Sequence, residues 1–66
     1  MKVCIVFWKL DENGERTVHR LVNHVDLSAR TKAGRPTVAA GSWLVAISSF
    51  IAEGQGHVEI REAMED

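Results

Sequence analysis

The side chains of this 66-residue chain that could bind a metal or catalyse a reaction are His19, His24, His57, Cys4 and the carboxylates of Asp11, Glu12 and Glu15. His19 and His24 stand five apart in a stretch that reads as one strand. Successive strand residues alternate faces, so without a bulge this odd separation puts them on opposite sides. A zinc ion needs its ligands converging about 2 Å from one point, and two rings on opposite faces cannot do that. His57 falls in a different strand, separated from the first two histidines by the topology argued below. No metal site is predicted, and the three histidines read as surface or edge residues.

Cys4 lies between Val3 and Ile5 in the most apolar segment. A thiolate nucleophile needs a base and an electropositive, exposed setting, so Cys4 reads as a small buried hydrophobe. Asp11, Glu12 and Glu15 belong to a turn, DENGE, where solvated acids are the norm, and no further acid is placed to share a pocket with them. With no cofactor motif and no catalytic constellation, the chain is predicted not to be an enzyme.

Between Asp26 and Glu53 there is no acid, and Arg30, Lys32 and Arg35 make that stretch +3 in a chain whose net charge is −1. These bases lead into a helix N-terminus, where unpaired N–H groups and the helix dipole favour an anion. Phosphate or nucleic-acid binding, with Arg16 or Arg20 adding backbone contacts, is therefore the alternative function. Against it, three charges are a small footprint, and no RNP-like aromatic pattern, GXXG loop or P-loop accompanies them. A loop that is solvated, or that grips acidic residues on a protein, is the favoured reading.

The elements that carry these residues follow from periodicity and turn chemistry. Lys2 to Leu10, KVCIVFWKL, is β-branched and aromatic, with Val3, Ile5 and Phe7 on one face and Cys4, Val6, Trp8 and Leu10 on the other. A strand apolar on both faces is expected at the centre of a sheet. Asn13-Gly14 marks a hairpin into a second antiparallel strand, Arg16 to Val25. Asp26 to Arg35 reads as a loop with a short turn at Leu27 to Ala29. Pro36 or Thr37 then opens a helix that Gly54 closes. After Gln55-Gly56, His57 to Glu62 alternates Val58 and Ile60 with polar residues, as a third strand should, and the last four residues are expected to fray.

The order ββαβ with an antiparallel ladder predicts an α+β fold, a three-stranded sheet in order 2-1-3 with one helix packed on one face, as a single domain over residues 1–66. On the helix, Ala40, Trp43, Leu44, Ile47, Phe50 and Ile51 fall in one arc and are expected to form the core stripe. Opposite them lie Val38, Gly41, Ser42, Val45, Ser48, Ser49 and Ala52. Pro36 to Ala52 contains no charged residue, although 26% of the chain is charged. An outward helix face of a small domain normally carries charge, so this one is expected to be covered. One helix covers only one face of three strands, so the other face of strand one should also lack a lid. The two faces are equally apolar, and the sequence does not choose between them.

Chain length adds to that expectation. Sixty-six residues are near the lower limit for a stable core, and a single cysteine with no CxxC or CxxH supplies neither disulfide nor zinc staple. MKVCIV lacks the pattern of a secretory signal, the uncharged run is interrupted by Pro36, Gly41 and three serines, and the lone thiol suits a reducing interior, so a cytoplasmic protein with no membrane span is expected. The function expected is a non-catalytic interaction module that occupies the surface of a protein partner or of a second copy, with Trp8, Gly41, Ser42, Trp43, Val45 and Ser49 as contact residues. A domain of this size has the format, by size and style alone, of small phage or mobile-element inhibitors of host systems, anti-CRISPR proteins among them.

Overall fold

The computed structural model describes residues 1–54 and 56–65. Gln55 of the connection before the third strand and Asp66 of the expected frayed end lie outside them. The elements are β1 (Val3–Leu10), β2 (Arg16–Val25), α1 (Val38–Ala52) and β3 (Gly56–Glu62). The sheet order is β2-β1-β3, and β1 pairs antiparallel with both neighbours. The ββαβ α+β fold and the 2-1-3 order are those that the apolar centre of strand one and the hairpin signal predict.

The hairpin is organised by Asp11. Its carboxylate accepts the N–H groups of Asn13 at 2.9 Å and Glu15 at 2.8 Å, while the Gly14 N–H donates to the Asp11 carbonyl at 3.1 Å. Gly14 takes φ 78, a left-handed conformation that glycine adopts without steric cost. The turn is therefore a three-residue loop ending in a left-handed glycine rather than a two-residue one.

The α1 N-cap is Thr37, whose hydroxyl accepts the Ala40 N–H at 3.2 Å. At the other end the Gly54 N–H donates to the Ile51 carbonyl at 3.0 Å, with φ 69 at Gly54 closing the helix.

The helix packs on the Val3, Ile5 and Phe7 face of β1. Ile5, Phe7 and Val25 are buried there, with Val22, Leu27, Trp43, Ile47, Phe50 and Val58 packed against them. Phe50 meets Phe7 edge to face, with ring centroids 5.2 Å apart at 75°. Register settles the choice between two equally apolar faces. Val22 stands opposite Ile5 and Val25 opposite Val3, while Val58 stands opposite Phe7 and Ile60 opposite Ile5. Val22, Val25, Val58 and Ile60 thus share the helix face, while Leu21 and Val18 stand opposite Val6 and Trp8 on the other, and a one-residue slip would exchange the two sets.

The core stripe of α1 is narrower than its apolar arc. Ala40 is buried and Trp43, Ile47 and Phe50 are half-buried, but Leu44 and Ile51, expected in the core, are 40% and 56% exposed. Contacts to β2 explain the offset. The Arg20 guanidinium lies 4.8 Å from the Trp43 ring, and His19 stacks on Phe50 at 5.8 Å. These anchors hold the Trp43 and Phe50 side of the helix over β2. Leu44 and Ile51, on the opposite flank of the arc, are left exposed.

β2 is bulged twice, which its sequence does not announce. Between the Val3 and Ile5 pairings two β2 residues, Asn23 and His24, face Cys4, and between Phe7 and Trp8 the extra residue is His19. His24 has φ 58, the one non-glycine residue with positive φ among the described residues. The face opposite the helix is closed more than expected, since Cys4 and Val6 are each 1% exposed. Leu21 stands opposite Val6, Arg61 stands opposite Cys4 and ion-pairs with Glu59, and the chain end crosses toward β2. There the Asn23 amide clasps the backbone of Met64, donating to its carbonyl and accepting its N–H, both at 3.0 Å. The expected fraying is thus corrected at Met64.

Candidate interaction surface

The loop before α1 is built by its own polar residues. The Asp26 carboxylate accepts the Ser28 N–H at 3.0 Å and the Ser28 hydroxyl at 2.8 Å, and the Met1 ammonium lies 3.7 Å away. The Ser28 hydroxyl bond, followed by the backbone bond and the ammonium, holds the Asp26 carboxyl below its ordinary value against a smaller opposing effect of desolvation. Further on, Arg30 and Pro36 form an isolated bridge. The Thr31 N–H donates to the Arg35 carbonyl at 2.7 Å, and the Gly34 N–H to the Thr31 carbonyl at 2.9 Å. Residues 30–36 are thus a small closed loop, not a slack linker.

That loop separates the three bases of the anion reading. The Arg30 guanidinium donates to the carbonyls of Leu27 at 3.3 Å and Ala29 at 3.2 Å, so its side chain braces its own turn. Lys32 stands near the tip of the loop and Arg35 at its base across from Thr31, and both are exposed, as is Arg30. Of the three cations expected at an anion site, Arg30 thus has its guanidinium engaged with backbone carbonyls.

On α1 the contact residues divide. Ser42, Val45 and Ser49 are exposed, and Gly41 is half-buried with open space where a Cβ would stand. Val38, on the same outer side, is 89% exposed and Val45 65%. Trp43 belongs to the core cluster under Arg20, and Trp8 is half-buried on the far side of the sheet with the Arg61 guanidinium 6.0 Å from its ring. The structure therefore brings Gly41, Ser42, Val45 and Ser49 onto one surface and sets Trp8 and Trp43 apart from it and from each other.

Exposed apolar residues that periodicity did not single out as contacts include Val38, Leu44 and Ile51 on α1, Ile60 on β3, Leu10 on β1, and Val18 and Leu21 on β2. Register would have found Ile60, since its alternation with Glu59 and Arg61 is visible once β3 is known to be an edge strand.

The histidines lie at three places: His19 against Phe50, His24 in the bulge facing Cys4, and His57 opposite Trp8 on β3. Among the described residues no three His, Cys, Asp or Glu side chains gather where a metal could be held. No helix among them is long and apolar enough to cross a membrane. No family model, curated protein or solved structure matches the chain.

Proposed function

We propose that this chain is a non-catalytic protein-interaction module that acts by occupying a partner's surface. The outer face of α1 makes the contact, and Lys32 and Arg35 grip acidic groups beside it. The observation that carries this reading is a 15-residue helix without a charged side chain, with Val38 and Val45 left 89% and 65% exposed. Such a face is worth covering, since each fully exposed valine forgoes about 1.5 kcal/mol or more of burial. Gly41, Ser42 and Ser49 are small enough to admit another backbone closely. The partner that fits is a protein with an apolar stripe flanked by carboxylates. The cytoplasm is the proposed setting, where the single buried Cys4 stays a thiol. An uncharged exposed helix face that occupies a partner suits an inhibitor of a host system, of the kind phages and mobile elements carry.

Co-purification from the producing cells tests this with Val45→Lys, Ser49→Lys and the double variant Lys32→Glu/Arg35→Glu beside the wild type. A protein retained stoichiometrically by the wild type, lost with either helix variant and weakened by the loop variant, is the expected result. A retained set identical in all four samples contradicts it. Nucleic acid retained in a steeply salt-dependent way, and lost only with the loop variant, would instead favour the alternative of phosphate recognition.

A further inference from the structure

The two outer edges of the sheet are unlike. β2 is bulged at two places and carries a left-handed His24, devices that disturb a ladder and turn an edge away from pairing. β3 keeps an unbroken register with β1 from Glu62 to Gly56 and contains no proline, and among the described residues no strand lies on its outer side. A straight, unpaired edge is a template for another strand.

The sequence of β3 is self-complementary in one register. Run antiparallel with Ile60 opposite Ile60, a second β3 sets Glu59 against Arg61 and Arg61 against Glu59. Opposite charges directly across a ladder stabilise it and like charges disfavour it. Centring the pair on Glu59 would oppose Glu59 to itself, and centring it on Arg61 would oppose Arg61 to itself. Glu59 and Arg61 already form an ion pair within the strand, so their charged ends stand together on the face away from the helix.

Directly opposed residues share a face, so both Ile60 side chains would meet on the helix side, about a two-fold axis perpendicular to the sheet. That is where cover is missing. Ile60 is 53% exposed, and Leu44 and Ile51 on α1 are 40% and 56% exposed. A surface depression at that end of the strand is lined by Met1, Lys2 and Val3 and by residues 60–63, the charged Arg61 and Glu62 among them. The area agrees. The chain exposes 4922 Å², about 700 Å² more than the roughly 4,200 Å² usual for a monomer of 7.3 kDa. A standard interface takes about 800 Å² from each partner.

We propose that a second copy of this chain pairs along β3 with Ile60 on the two-fold axis, forming a six-stranded sheet with both helices on one side. Light scattering across a concentration series tests it, with circular dichroism checking that each variant is folded. The wild type should reach twice the 7.3 kDa chain mass. Glu59→Arg and Arg61→Glu, each setting like charges opposite, should raise the dissociation constant at least tenfold, and the two together should restore it. Ile60→Lys should give a folded monomer. A wild type that stays monomeric at every concentration overturns the proposal, as does a dimer indifferent to the single charge reversals and to Ile60→Lys. Val45→Lys should leave this dimer intact, so failure here and failure of the helix-face reading are distinguishable.

Discussion

The Arg20 guanidinium lies 4.8 Å from the centre of the Trp43 ring, tying the middle of α1 to β2. A tryptophan on an otherwise uncharged helix invites reading as a partner anchor, but this contact and its place among Ile5, Phe7 and Ile47 make it part of the packing. Trp43→Ala should cost about 3 kcal/mol of stability, and Arg20→Ala about 0.5–1 kcal/mol. Urea unfolding measures both, and a Trp43→Ala variant as stable as the wild type would contradict the placement.

Gly41 separates stability from binding. A methyl added there meets nothing within 4 Å, and alanine is the better helix former by about 1 kcal/mol. Gly41→Ala should therefore raise the melting temperature by several degrees while weakening partner retention, because the methyl projects into the proposed contact face. Equal or stronger retention would argue that no backbone comes near Gly41.

Gly56 is the opposite case. Its φ is 139, and a Cβ there would collide with the carbonyl oxygen of Trp8 across the ladder. Gly56→Ala should cost at least about 2 kcal/mol and loosen the Lys9 end of the β1–β3 pairing. Hydrogen exchange resolved along β1 would report that loosening directly.

Asp26 gives a pH signature. The Ser28 hydroxyl and N–H and the Met1 ammonium lower its carboxyl pKa in the fold, so the folded state binds this proton less readily than the unfolded chain. Its contribution is fully present above the unfolded value of about 3.9 and is lost as pH falls through the lower folded value. Melting temperature should fall across that acid window, and Asp26→Asn should flatten the slope there without adding one between pH 5 and 7.

Local chemistry made much of this fold legible in the sequence. Strand one is apolar on both sides because it is central, Thr37 and Gly54 end the helix by capping, and the helix position between strands two and three dictates the 2-1-3 order. What was not legible depends on residues far apart in the chain. The buried face of β1 follows from which β2 and β3 residues stand opposite Ile5, and periodicity carries no register. The bulges at His19 and His24 have no glycine or proline to announce them. Arg30 looks like any other loop cation until its guanidinium is seen on the carbonyls of Leu27 and Ala29. The exposure of Leu44 and Ile51 reflects how the Arg20 and His19 contacts place the helix, which a helical wheel does not contain.

A partner seated on the outer face of α1, as proposed, can be captured in place. The most direct measurement is site-specific photo-crosslinking in the producing cells from a probe at Val45 or Ser49, with a probe at Glu12 in the hairpin as control. One discrete protein adduct from both helix positions and none from Glu12 is the expected result. No adduct from the helix, or the same adducts from all three positions, would contradict it.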